Sequence, residues 1–259
     1  MTDAVAGWLR LAGRIPLLLL HLLISLPLTL LAHLPGIRSI RWGGRPLYAR
    51  WLSFWSAGIL FIFGVRRRCD GEPTTGPALL AANHVSWMDI PLLHSVAPMS
   101  FVSKAEVGDV PLIGAIARVG GTLFHRRGSH RSAEDVTVAM LERLNSGHRV
   151  LIFPEGGILH GAGVKRFHAR LFRVAVDGAA PVQPVAIRYL RSGEPYRAFE
   201  FKTGETVLAN FFRLLKQPGC DADLTFCEPL PSDGAGRDHL ARAAEGAVRS
   251  IVDAGARLR

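Results

Sequence analysis

The chain has 259 residues, 49% of them hydrophobic, and a formal net charge of +10. That length is enough for a real core, and a mean hydropathy of +0.22 is greasy for a soluble protein yet modest for a polytopic one. Three cysteines (Cys69, Cys220, Cys227), odd in number and without ligand-like spacing, argue against a disulfide framework and a metal site.

The hydrophobic excess lies at the N-terminus. Residues 15–34, "IPLLLLHLLISLPLTLLAHL", carry no Asp, Glu, Lys or Arg. As a helix they would extend roughly 30 Å, enough to cross a hydrocarbon core. The stretch is longer than a signal-peptide core and no small-x-small site follows it, so a retained anchor is expected. Pro16 and Pro27 predict a bend. Residues 51–65, "WLSFWSAGILFIFGV", are also uncharged but shorter, with Trp51 at one end. They predict a helix lying in or dipping into the bilayer surface.

Arginines flank both segments: Arg10 and Arg14 before, Arg38, Arg41, Arg45 and Arg50 between, Arg66, Arg67 and Arg68 after. Such clusters predict anionic headgroups at a cytoplasmic face. No nucleic-acid motif accompanies them, so nucleic acid is set aside as a partner. The chain thus divides into residues 1–66, an anchor with an interfacial helix, and residues 67–259, a separate folded domain.

After Arg68, short β-rich runs alternate with helical patterns. Strands are expected at 78–82, 100–103, 122–125, 150–153, 182–187 and 223–227. Helices are expected at 89–96, 112–119, 132–144, 169–177, 205–215 and 238–254. This alternation predicts an α/β fold with helices covering a largely buried sheet.

The first strand runs into "NHVSWMDI", residues 83–90. A His five residues before an Asp suits a base and its orienting partner. Spacing alone decides nothing, because His130 and Asp135 in "HRSAED" share it. There, Ser132 and Asp135 read as a helix start, with His130 in a polar loop outside it. His84 and Asp89 instead follow a buried-looking strand directly, where α/β folds place ligands. In a helix, positions i and i+5 lie about 140° apart. In a strand they fall on opposite faces. The two side chains therefore meet only across a turn, and Asn83 and Ser86 are turn-forming residues.

"NHVSWMD" resembles the first motif, Asn-His-x-x-x-x-Asp, of glycerolipid acyltransferases of the lysophosphatidic acid acyltransferase type. "GGTLFHR" (120–126), "FPEGG" (153–157) and "PVQPVAI" (181–187) resemble that family's next three blocks, in order, and "VSKAE" (102–106) fits between the first two. The resemblance covers roughly residues 75–190 and implies a mixed sheet flanked by helices, glycerol-3-phosphate acyltransferase-like. It also implies a reaction: transfer of a fatty acyl group from an acyl-CoA or acyl carrier protein thioester to a lysolipid hydroxyl, lysophosphatidic acid in the leading case. No other cofactor is implied. His84 would be the general base and Asp89 its partner. Arg126 would take the acceptor's phosphate. Lys104 would bind phosphate or steady charge on the thioester oxygen. Glu155 would accept hydrogen bonds from acceptor hydroxyls, with Gly156 allowing close backbone approach. Ser86 is an unsupported nucleophile, and no Gly-x-Ser-x-Gly elbow is present. The setting implied is a bacterial inner membrane.

Two departures matter. Gly157 and Ile158 stand where the third block usually continues with Thr and then often Arg, and His125 stands where an acid often precedes the second block's Arg. "VKRFHARLF" followed by "VQPVAIRY" also looks like the bacterial branch that includes lyso-ornithine lipid acyltransferases. An amino-acid lysolipid is therefore the alternative acceptor. A catalytically idle basic membrane-binding protein is the alternative of another class.

Overall fold

The structure, a computed structural model, describes residues 2–32, 34–110, 113–126, 130–158 and 163–257. The apolar N-terminus folds as a helical hairpin. α1 (Thr2–Ala32) runs unbroken through Pro16 and Pro27, and α2 (Leu47–Phe63) returns beside it. His21 stacks on Trp55 with ring centroids 6.0 Å apart, and Trp51 Nε1 donates to Thr29 Oγ1 at 2.8 Å. Among the described residues, α1 alone is long and apolar enough to cross a membrane.

α2 is more than a surface helix. Leu52, Ile59, Leu60 and Phe63 on its inner side are buried, while Phe54 and Phe61 face outward. Gly64, in the left-handed region at φ 73°, ends α2 and turns the chain straight into a strand.

That strand is β1 (Val65–Asp70), followed by β2 (Ala78–Ala82), α3 (Asp89–His94), β3 (Ser100–Lys104) and α4 (Ile113–Val119). Next come β4 (Leu123–His125), α5 (His130–Asn145), β5 (Arg149–Ile152), α6 (Arg173–Asp177) and β6 (Val182–Arg191). α7 (Val207–Lys216), β7 (Cys220–Phe226) and α8 (Arg237–Arg257) complete the order. The expected start of α4 at residue 112 lies outside the described residues.

The strands form one mixed sheet in the order β1-β7-β6-β2-β5-β3-β4. β2 through β6 are mutually parallel, β7 is antiparallel to β6, and β1 is parallel to β7. β1 lies outside the predicted strands because "VRRRCD" has no apolar alternation. It is an edge strand whose arginines find partners within the protein. Arg66 and Arg68 reach Asp221 at 2.8 and 2.9 Å, and Arg67 donates to Ser95 O at 2.6 Å.

Both faces of the sheet are covered, which is why "ALLAA" is buried throughout. Leu80 and Ala82 join the apolar cluster of the hairpin, α3 and α7. Leu79 and Ala81 join that of α5, α6 and α8. Leu11, Leu18, Ile59 and Phe63 of the hairpin share the first cluster with Met88, Leu92 and Leu224. One core therefore runs across residue 66.

One local expectation needs correction. α5 begins at His130, so His130 is not in a loop, and Ser132 lies inside the helix. Positions 130 and 135 then sit about 140° apart around one axis. Pro184 lies in β6, an interior strand with β2 and β7 on either side. Its missing N–H faces the end of β7. There Cys227 N donates to Pro184 O at 3.0 Å, and the Cys227 carbonyl accepts instead from Gln183 Nε2 at 3.0 Å.

Candidate active site

β2 is the point where the chain's direction of winding reverses. After it the chain passes to β3 and β4 on one side, then returns to β5 and β6, which flank β2. Ligands bind at the carboxyl ends of parallel strands at such a point. His84 follows β2 there, Glu155 follows β5, Lys104 ends β3 and Arg126 follows β4.

Asn83 closes the strand. Its Nδ2 donates to Ile187 O at 2.9 Å, and Ile187 N donates to its Oδ1 at 2.8 Å. The amide thus replaces one backbone rung of the β2–β6 ladder and frees the main chain to turn. The turn closes through Asp89 N to Ser86 O at 3.0 Å and Met88 N to Ser86 Oγ at 3.3 Å. Ser86 is fully buried in this role.

Across that turn His84 Nδ1 lies 2.8 Å from Asp89 Oδ2. Asp89 is 0% exposed and starts α3. Its Oδ2 also accepts from Val85 N at 2.8 Å and Ser86 N at 3.0 Å, and its Oδ1 accepts from Tyr189 Oη at 2.8 Å. These donors compensate a buried carboxylate and keep it an acceptor. Nδ1–H is therefore the donor of the pair, and Nε2 carries the lone pair. The imidazole lies flat on Phe153, ring centroids 3.8 Å apart and planes 13° from parallel, with its side chain 15% exposed.

Glu155 is buried at 6% exposure. Its Oε2 accepts from His84 N and its Oε1 from Lys165 N, both at 2.8 Å. Burial raises its carboxyl above the usual carboxylate range, against the pull of those two amides. Gly156 beside it has φ 76°, a conformation that strains any residue with a Cβ.

The structure thus joins His84, Asp89 and Glu155 directly. Lys104 and Arg126 are exposed on neighbouring strand ends of the same edge. With strands about 4.8 Å apart, their backbones lie about 10 and 14 Å along the sheet from β2. Arg127, next to Arg126 in the sequence, lies outside the described residues.

Sequence reasoning missed Tyr189, Phe153 and Asn210. Tyr189 is buried, its hydroxyl pushed well above the ordinary phenol value by burial and then by Asp89. A signal existed: period two in β6 puts Tyr189 on the face of Val185 and Ile187. Asn210 on α7 accepts from Trp87 Nε1 at 3.0 Å, a contact no spacing could announce.

The model of a protein family described as Acyltransferase matches residues 66–188. A lyso-ornithine lipid O-acyltransferase of Pseudomonas aeruginosa is 42% identical over 79% of this chain and 79% of its own length. A 1-acyl-sn-glycerol-3-phosphate acyltransferase of Neisseria gonorrhoeae is 42% identical over 43% of this chain and 44% of its own. The crystal structure of the 1-acyl-sn-glycerophosphate (LPA) acyltransferase PlsC from Thermotoga maritima superposes with a TM-score of 0.73 at 20% identity. It covers 99% of this chain and 98% of that one, and so shares the fold. With a turn that binds His84 to Asp89 at the winding reversal of this sheet, and with a relative this similar over most of both lengths, the chain belongs to the acyltransferase family.

Proposed function

We propose that the protein transfers a fatty acyl group from an acyl-CoA or acyl carrier protein thioester to the free hydroxyl of a lysolipid. The observation that supports this most is the 2.8 Å contact between His84 Nδ1 and a carboxylate held by three further donors. It leaves Nε2 as a base. Nε2 takes the hydroxyl proton as the oxygen attacks the thioester carbon. The new C–O bond forms, the C–S bond breaks, and the thiolate leaves to take up a proton. Lys104 and Arg126 serve as cations for the acceptor headgroup or the developing oxyanion. Glu155 fixes the His84 backbone at the site, and Gly156 lets the acceptor approach the main chain.

An amino-acid-bearing lysolipid such as lyso-ornithine lipid is the acceptor we favour. The long alignment to the Pseudomonas protein supports it, as do Gly157 and Ile158 in the third block. Lysophosphatidic acid is the second reading, supported by the shorter Neisseria match and the two cations at the edge.

The setting we infer is the inner leaflet of a bacterial inner membrane, with the site on the cytoplasmic side where thioester donors reside. α2 packs lengthwise on the domain, with Ser53 Oγ donating to His94 O at 2.8 Å and Phe63 meeting Trp87 edge-on at 5.3 Å. That packing supports a hairpin lying against the protein with its outer apolar face in lipid.

The test supplies the purified full chain with labelled acyl-CoA or acyl carrier protein and a panel of lysolipids, and identifies products by mass spectrometry. A diacylated product is expected with at least one lysolipid. His84→Ala should lower turnover at least about 10²-fold with the fold intact. Activity of that variant within a few-fold of the parent would end the mechanism.

A further inference from the structure

The outer face of α7 is apolar and continuous with the hairpin. Leu208, Phe212 and Lys216 recur at i, i+4 and i+8, so they form one line along the helix. Leu208 is 67% exposed and Phe212 43%. At the helix end Lys216 Nζ stands 3.4 Å from the ring centre of Trp8, itself 61% exposed on α1. From Trp8 the exposed apolar surface continues through Leu9 and on to Leu19, Leu20 and Leu23.

The junction is built. Arg10 Nε donates to Lys216 O at 2.8 Å, and Arg14 Nη1 donates to Leu215 O at 3.0 Å and Gln217 O at 2.8 Å. Two cations from α1 thus satisfy the terminal carbonyls of α7. The inner side of α7 carries Asn210 on the Trp87 indole and Phe211 stacked on it at 5.8 Å. Trp87 lies within the turn that joins His84 to Asp89.

We propose that α7 is a third membrane-contact element, seating Leu208 and Phe212 in the headgroup–acyl boundary beside α1. The proposal rests on the reading above that the hairpin holds the protein on a bilayer. Lipid is the partner because the line of side chains runs uninterrupted into the surface of α1. The residue at the junction, Lys216, adds an apolar stem and a cation suited to anionic headgroups. Trp87 sits on the opposite side of the same helix, so seating α7 sets the height of the catalytic turn above the lipid.

The experiment uses the full chain with Cys69 and Cys227, the two native thiols that reach solvent, replaced by Ser and the buried Cys220 by Ala. A single cysteine carrying a nitrobenzoxadiazole fluorophore is placed in turn at positions 208, 212, 23 and 142. Leu23 is exposed on α1, and Glu142 is exposed on α5, across the sheet. The protein is reconstituted with vesicles of phosphatidylcholine and phosphatidylglycerol, with and without doxyl-labelled acyl chains. Labels at 208, 212 and 23 should be quenched by doxyl lipid several-fold more than the label at 142, and iodide should quench only 142. Quenching at 23 with 208 and 212 behaving like 142 overturns the α7 proposal and leaves the anchoring reading standing. No lipid quenching at any position overturns both. Shielding of 208 and 212 from doxyl lipid and iodide alike shows that another protein surface covers the helix, and likewise overturns the proposal.

Discussion

At the scale of the residue, Tyr189 gives the sharpest expectation. Its hydroxyl donates to the Asp89 oxygen that His84 does not touch. Removing it leaves a buried carboxylate oxygen without its donor. Tyr189→Phe should therefore lower kcat by at most about tenfold while KM stays unchanged. A kcat equal to the parent's would show that the hydroxyl does not act through Asp89. The motif residues His84 and Asp89 were legible because a strand ended just before them and a turn had to follow. The roles of Asn83, Glu155 and Tyr189 were not, because each is defined by a partner far along the chain. Glu155 was read toward the substrate, and the structure shows both its oxygens meeting backbone amides.

At the scale of the element, α7 is held at its start by Glu205. Its carboxylate meets Arg213 Nε at 2.6 Å and accepts from Asn210 Nδ2 at 2.8 Å and Lys202 N at 3.0 Å. Arg213, then the smaller hydrogen bonds, pulls the Glu205 carboxyl down to about 2 from an ordinary 4.5. A carboxyl depressed on folding contributes stability that is present above 4.5 and lost as pH falls toward 2. Glu205→Gln should lower the Tm at neutral pH, and its gap from the parent should shrink through that window. A gap that stays constant down to pH 3 would show that the ion pair contributes nothing. The long periodic helices and the buried runs were legible as elements. β1 was not, because an edge strand of arginines carries no alternation, and β7 begins three residues before its predicted start.

At the scale of the whole molecule, the division at residue 66 predicts that removing residues 1–66 gives a more soluble protein with strongly reduced activity on lysolipid. The shared core argues for a different result. Phe63 is 0% exposed and packs on Trp87 and Phe211. Losing one such ring costs about 3–5 kcal/mol. Total stability is only about 5–15 kcal/mol. Deleting residues 1–64 should therefore give protein that aggregates and lacks a cooperative thermal transition. A soluble remnant with a sharp melt would show that the sheet does not need the hairpin. Composition made the greasy N-terminus visible, but amphipathy alone does not say which face of α2 packs on the rest of the protein.

The His84–Asp89 turn is assembled from pieces that are remote in sequence. Glu155 comes 71 residues after His84, Tyr189 comes 100 after Asp89, and Asn210 comes 123 after Trp87. Closing such distances is slow, and contacts of this kind form late in folding. During synthesis the hairpin leaves the ribosome before any of these partners exists, and its apolar faces are uncovered for that interval. On the reading proposed above, translation order thus offers the hairpin to a bilayer before the proposed base is in place. The His84–Asp89 turn is complete only when β6 and α7 have supplied Tyr189 and Asn210.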